Sequence, residues 1–180
     1  MKYVIDIDGT LLDGSATLAG AAGFIARLEA GRCEYLLMTN SIKSAEQQAD
    51  RLERAGLRIG PDRILTPVSA INAYARELCI RTAKVMGTDA EIAQIEARHS
   101  LVEYELVVLL DFQKSDFGYS ALQGIVRDME DGIPVVTASA SPYYLSNGRR
   151  LIDTGSFANL LEGITGAKIE NFGKPSSRYF

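Results

Sequence analysis

Lys2-Tyr3-Val4-Ile5-Asp6-Ile7-Asp8-Gly9-Thr10 decides how this chain is read. An apolar run ends in two carboxylates spaced two apart, followed by a glycine and a hydroxyl. On an extended segment, side chains two apart point the same way. Asp6 and Asp8 are therefore expected to converge at the open end of a strand, with Ile7 packed behind them. Two like charges held together are costly unless a cation or a shared proton relieves them. The motif thus reads as a divalent-metal site with a carboxylate nucleophile. The plainer alternative is a strand followed by an Asp-Gly turn.

Outward from that motif, the chain alternates strands with helices. Residues 2–7 read as a buried strand and Leu11 to Ala16 as a turn or short flap around Asp13-Gly14. Residues 18–30 read as a helix with Leu18, Ala22, Ile25 and Leu28 on one face and Gly31 as its stop. A second buried strand spans Glu34 to Thr39. Ser44-Ala45-Glu46-Gln47 reads as a capping box that opens a helix closing at Gly56. Arg63 to Thr66 is a third short strand, and 69–80 a helix. A second alternating block follows. Its strands are expected at 84–87, 105–110, 133–137 and 168–172. Its helices are expected after the Thr88 cap, at 118–130 and at 155–165. Residues 138–150, rich in Ser, Tyr, Asn and Gly, read as a loop.

Such alternation implies α/β architecture with parallel sheets and right-handed crossovers. The short strands are too many for one modest sheet. The expectation is a Rossmann-like parallel-sheet core (1–80 and 167–180) interrupted by an inserted α/β cap (81–166). At 180 residues the chain is long enough for this.

Composition narrows the function classes. The hydrophobic fraction is 47% and the charged fraction 23%, ordinary for a globular protein. A net charge of −4 with scattered basic residues gives no footprint for nucleic acid or an anionic membrane surface. No signal-peptide pattern precedes the first strand, and no apolar run is long enough to span a bilayer. A cytoplasmic, soluble protein is the expectation. Cys33 and Cys79 have no metal-ligand spacing and read as free, buried thiols. His99, the one histidine, lies in a polar stretch and reads as a surface residue, which argues against histidine catalysis or zinc.

In an open parallel sheet, ligands bind outside the carboxyl ends of the strands. Asp6 and Asp8 end the first strand, and Thr39 and Asn40 the second. Their separation of about 30 residues suits one βαβ unit. Thr39 is therefore expected beside Asp6, its hydroxyl facing the same ligand. Neutral donors that leave a metal's charge unopposed suit a phosphoryl oxygen. Gly173-Lys174-Pro175 supplies a third element: a glycine for close backbone approach, a proline able to start a helix, and a lysine suited to hold a phosphate.

In this order, the three elements resemble the haloacid dehalogenase superfamily. More narrowly, the chain looks like the type-two-capped branch (subfamily IIA), which includes p-nitrophenyl phosphatase-like and N-acetylglucosamine phosphatase-like enzymes. The resemblance covers essentially the whole chain. It includes Leu18-Ala19-Gly20-Ala21, Met38-Thr39-Asn40-Ser41, Leu52-X-X-Ala55-Gly56-Leu57 and Ile64-Leu65-Thr66-Pro67. It continues through Phe117-X-Tyr119-X-X-Leu122, Thr154-Gly155-Ser156 and Gly173-Lys174-Pro175-Ser176.

The resemblance implies a magnesium-dependent phosphomonoester hydrolase acting on small phosphorylated metabolites. Asp6 would attack phosphorus and form an aspartyl-phosphate. Asp8 would protonate the leaving oxygen and then activate water. The Asp6 carboxylate and the Asp8 backbone carbonyl would hold Mg²⁺. Gly9, Thr39, Asn40 and Lys174 would bind phosphate, and the cap would exclude water and read the leaving group. A homodimer is among the partners the resemblance allows.

Two departures follow from the same comparison. The family's fourth motif, an acidic pair in Gly-Asp-X-X-X-Thr-Asp, supplies another Mg²⁺ ligand. This sequence reaches Phe180 without it, and without the strands that complete the core sheet. A shortened enzyme is the favoured explanation, and a degenerate, non-catalytic binding or interaction protein the rival. Either way, turnover by the 180-residue chain is expected to be weak or absent. Also, Thr137-Ala138-Ser139-Ala140-Ser141-Pro142 lacks the acidic residue of the relatives' Thr-Asn-X-Asp stretch. A phosphotransferase or mutase is a weaker third reading, since fold does not fix function. A dinucleotide site fails because no Gly-X-Gly-X-X-Gly follows the first strand.

Overall fold

The computed structural model describes residues 2–111, 118–146 and 148–179, residues 145 and 146 by their backbone. The chain divides into two compact units, Met1–Ser69 and Ala70–Phe180.

The first unit is built on a three-stranded parallel sheet. Strand β1 (Lys2–Asp6) pairs with β4 (Glu34–Met38), and β4 pairs with β5 (Ile64–Leu65). The register sets Asp6 opposite Met38. Between β1 and β4 lie a small antiparallel hairpin, β2 (Leu12–Asp13) and β3 (Ala16–Thr17), and helix α1 (Ala21–Ala30). Helix α2 (Ala45–Arg54) follows β4. Its N-terminus carries the expected capping box, Ser44 accepting from the Gln47 N–H while the Gln47 side chain accepts from the Ser44 N–H. The core gathers Ile5, Ile7, Ile25, Leu28, Leu37 and Leu52.

Helix α1 departs from expectation at its start. It begins at Ala21 after Gly20, which adopts the left-handed conformation (φ 87°), so Leu18 lies outside it. The apolar face is Ala21, Ile25 and Leu28, whereas Ala22 is exposed. A left-handed residue can be no part of a right-handed helix, so the helix starts after it, while Ile25 and Leu28 face the core as expected.

Helix α3 (Pro67–Glu77) spans the division between the units, with proline in its first turn, where a missing N–H is harmless. The second unit carries a five-stranded parallel sheet in the order β12-β9-β8-β6-β7. Its strands are β6 (Thr82–Met86), β7 (Arg98–His99), β8 (Leu106–Leu109), β9 (Val135–Thr137) and β12 (Glu170–Asn171). Strand β8 is buried along its whole length, as its unbroken apolar run requires in a parallel sheet. Helices α4 (Asp89–Ile92), α5 (Tyr119–Glu130) and α6 (Thr154–Thr165) complete the unit. A core forms from Val107, Leu109, Ile125, Val135 and Leu161.

Four further expectations change. Residues 138–150 are no simple loop: β10 (Tyr143–Ser146) and β11 (Arg149–Ile152) form an antiparallel hairpin, with the Arg150 guanidinium 4.7 Å over the centroid of the Tyr143 ring. Strand β7 was not expected. His99 on it is half-buried rather than superficial, its Nδ1 accepting the Val85 N–H at 3.2 Å. Cys33 is half-buried and Cys79 exposed, both free. No helix follows Pro175, where the chain makes turns instead. Phe117, part of the resemblance above, lies outside the described residues.

Strand β12 pairs with β9 of the second sheet. The compact division therefore groups 167–180 with the second unit, while the expected core-and-cap division grouped it with the first. No helix among the described residues is long and apolar enough to cross a membrane.

Candidate active site

Strand β1 ends at Asp6, whose carboxylate Oδ1 accepts the Ile7 N–H at 2.9 Å. The Ile7 N–H also donates to the Met38 carbonyl at 3.2 Å, so the first sheet's hydrogen bonding runs one residue past the strand. Ile7 itself is fully buried. It anchors the turn: the N–H groups of Leu11 and Leu12 both donate to its carbonyl, at 2.9 and 3.0 Å. The turn needs Gly9, which sits at φ 82°, a conformation that L side chains rarely adopt. Asp8 is displayed at the surface of this turn beside Leu12.

Thr39 leaves β4 at the same sheet edge and is buried, 1% exposed. Its hydroxyl donates to Asp8 Oδ2 at 3.0 Å and accepts the Ser41 N–H at the same distance. This contact joins the first two sequence motifs through side chains 31 residues apart. Thr39 thus bonds to Asp8, and it follows Met38, the register partner of Asp6. Asn40 follows, half-buried. Within the first unit, then, the structure assembles Asp8 with Thr39, on a turn that starts at Asp6 and requires Gly9.

Lys174 belongs to the second unit and is half-buried. Gly173 before it is buried, its N–H donating to Asn171 Oδ1 at 2.9 Å. A Cβ at Gly173 would lie 2.5 Å from the Ala138 carbonyl oxygen, so close backbone approach explains the glycine.

Sequence reasoning missed Arg51. Its Nη2 donates to Asp8 Oδ1 at 2.7 Å, an ion pair between side chains 22% and 48% exposed. The same nitrogen donates to the Gly14 carbonyl at 2.6 Å. Arg51 lies on α2 with its Nη1 3.4 Å from Gln48 Oε1, one turn earlier. Only the three-residue spacing of Gln48 and Arg51 on a capped helix could have marked it, and that pattern is common on any helix surface.

Both Asp8 carboxylate oxygens are therefore engaged, one by Thr39 and one by Arg51. The Asp6 carboxylate and the Asp8 main-chain carbonyl are hard oxygens of the kind that a divalent cation takes. Magnesium typically takes one or two carboxylates, keeps several waters and completes its shell with substrate phosphate. The donor chemistry fits that ion. Among the described residues, no cluster of three or more His, Cys, Asp or Glu could hold a metal ion on its own.

A family model described as haloacid dehalogenase-like hydrolase matches residues 3–99, more than half of the chain. The chain belongs to that family. Among curated relatives, the human phospholysine phosphohistidine inorganic pyrophosphate phosphatase is 27% identical over 187 aligned positions, covering 98% of this chain and 67% of the relative. The mouse haloacid dehalogenase-like hydrolase domain-containing protein 2 is 24% identical, with coverage of 98% and 68%. The chain thus spans about two thirds of these relatives' length. Among solved structures, p-nitrophenyl phosphatase from Archaeoglobus fulgidus superposes with a TM-score of 0.86 at 21% identity, over 99% of this chain and 70% of that one. NagD from E. coli K-12 gives 0.82 at 20% identity, over 97% and 70%. The fold is that of haloacid dehalogenase-like phosphatases with a cap domain, as the sequence resemblance implied.

Proposed function

We propose that this haloacid dehalogenase-like hydrolase carries the machinery of a magnesium-dependent phosphomonoesterase acting on small phosphorylated metabolites. The observation that carries the reading is the Thr39–Asp8 hydrogen bond at the carboxyl edge of the β1–β4 pair, next to Asp6. In a parallel sheet this edge is where ligands bind.

Asp6 Oδ attacks phosphorus, and the bond from phosphorus to the ester oxygen breaks. That oxygen takes a proton from Asp8, leaving an acyl phosphate on Asp6. Asp8 then takes a proton from water, whose oxygen attacks the same phosphorus, releasing inorganic phosphate and regenerating the Asp6 carboxylate. A carboxylate nucleophile splits one difficult hydrolysis into two easier steps, and a single residue serves as acid and then base. The N–H groups around Gly9, the Thr39 hydroxyl and Asn40 bind phosphoryl oxygens. The Asp6 carboxylate and the Asp8 carbonyl would hold Mg²⁺, which would supply charge neutralisation for the transferring group. Residues 81–166 act as the cap, and residues 1–80 with 167–180 as the core.

With two acids and no third joining them among the described residues, turnover by the 180-residue chain is expected to be slow. The same observation favours the second reading, a non-catalytic member that keeps the scaffold for binding. Acid-quenched incubation with a radiolabelled aryl phosphate and Mg²⁺ tests both. Covalent label on the chain, released by alkali and absent in Asp6→Asn, supports the enzyme. Hydrolysis that persists undiminished in Asp6→Asn refutes the nucleophile assignment.

A further inference from the structure

Arg51 has no part in the chemistry above, yet it touches two segments of the site. Its Nη2 donates both to Asp8 Oδ1 and to the carbonyl of Gly14, the residue at the tip of the β2–β3 hairpin. Gln48 explains its placement. Gln48 is fully buried, and its Nε2 has no partner among the described residues. A buried donor without a partner lowers stability, and an apolar residue of similar size would avoid the loss. What the amide supplies in return is its oxygen, which receives Arg51 Nη1. The guanidinium is thus aimed from below by Gln48 and shared above by a carboxylate and a main-chain carbonyl.

The consequences fall on Asp8. Thr39 holds one carboxylate oxygen and Arg51 the other. Rotation of the carboxylate would break one bond or the other, and withdrawal of the hairpin would remove the acceptor that Arg51 shares with it. A second tie fixes the hairpin's far strand, since the Thr17 hydroxyl donates to the Ala55 carbonyl at the end of α2. Helix α2 therefore grips the hairpin at its tip and at its base.

We propose that Arg51 is a positioning residue that latches the Leu12–Thr17 hairpin to Asp8, so that flap closure and the orientation of the Asp8 carboxylate are set together. The inference rests on the reading above only in taking Asp8 as the acid–base group.

Backbone amide hydrogen exchange on the 180-residue chain tests it, comparing wild type with Arg51→Ala and Asp8→Asn. Because the pair is partly exposed, the effect is modest: amides of 12–17 should exchange about fivefold faster in either variant. Amides of β4 and of the middle of α2 should stay within about twofold of wild type, the scatter expected of a surface change. Added guanidinium, but not an equal concentration of urea, should slow the hairpin amides of Arg51→Ala again. A merely structural arginine would show no such rescue. Unchanged hairpin exchange in Arg51→Ala, or equal acceleration throughout the first unit, overturns the latch.

Binding of orthovanadate with Mg²⁺, followed by calorimetry, separates this inference from the proposed function. If wild type binds vanadate while the hairpin amides ignore Arg51→Ala, the latch alone is wrong. If the amides respond but wild type binds no vanadate, the latch stands and the phosphatase reading falls.

Discussion

Replacing Asp128 with asparagine should destabilise the second unit by about 3 kcal/mol, the low end of the range for breaking a buried ion pair. The number follows from the surroundings. Lys84 on β6 and Asp128 on α5 meet at 2.8 Å, with side chains only 13% and 11% exposed. Tyr104 completes the group: its hydroxyl donates to the other Asp128 oxygen at 2.7 Å, and its ring centroid lies 5.2 Å from the ammonium. Asparagine keeps the shape and an acceptor oxygen but removes the charge that balances the buried ammonium. A remaining oxygen still accepts one bond, which keeps the loss from the top of the range.

The assay is urea unfolding followed by far-ultraviolet circular dichroism and tyrosine fluorescence, which is clean because the chain has no tryptophan. With a slope of about 1.5 kcal/mol per molar urea, the midpoint of the affected transition should fall by about 2 M at unchanged slope. A companion variant tests the cause. Lys84→Met with Asp128→Leu and Tyr104→Phe removes all three polar partners at once and should recover most of the loss, because no charge is left stranded. A midpoint shift below about 0.5 M for Asp128→Asn would mean that water reaches the ammonium. A triple variant as unstable as the single one would mean that packing, not charge, carries the cluster.

The remaining expectations concern the first unit and the alkaline limb. Thr39→Val removes a hydroxyl that donates to Asp8 and accepts from the Ser41 N–H. Loss of a hydrogen bond to a charged group should weaken vanadate affinity about tenfold, measured by calorimetry, and a change under about twofold would separate Thr39 from the site. Burial raises the hydroxyl pKa values of Tyr35, Tyr74 and Tyr104, with further increases from Glu29 at Tyr35, from Glu170 at Tyr74 and from Asp128 at Tyr104. Each phenol holds its proton more tightly folded than unfolded. Stability should therefore be level below about pH 10, the ordinary tyrosine value, and fall as the pH climbs from there through the raised values. Urea midpoints on either side of about pH 10, with tyrosinate absorbance read in parallel, check the sign. Midpoints that rise with pH in that window would contradict it.

Much of the fold was legible because local and global signals agree in most segments. The Ser44–Gln47 box, the unbroken apolar run of β8 and the glycines that end α1 and α6 each carry their own local cause. What was missed has equally local reasons. The Asn147-Gly148 pair flanked by Tyr143-Tyr144-Leu145 and Arg150-Leu151-Ile152 is a strong hairpin signal that the polar composition of 138–150 masked. Strand β7 is two residues long and exists only because β6 offers it a partner, so no periodicity could announce it. The start of α1 turned on one backbone angle at Gly20.

The site was legible to a different depth. Spacing alone located Asp6, Asp8 and Thr39 at one sheet edge, because a βαβ unit returns the chain to the neighbouring strand in a fixed direction. Spacing could not say which oxygen Thr39 would meet, since that depends on how far the chain curls after β1. The turn at Gly9 brings Asp8 into reach of the Thr39 hydroxyl and exposes its other oxygen to Arg51. Arg51 comes from a helix face, where any basic residue looks like solvated surface until a partner is known. The residues that do chemistry are announced by their type and spacing. Those that hold them in place, such as Gln48 and Arg51, are ordinary helix residues whose meaning arises only when the sheet edge, the hairpin and the helix are brought together. A search for positioning residues in this family therefore begins from the bonds that each motif side chain makes, and works outward to the helix that follows the second strand.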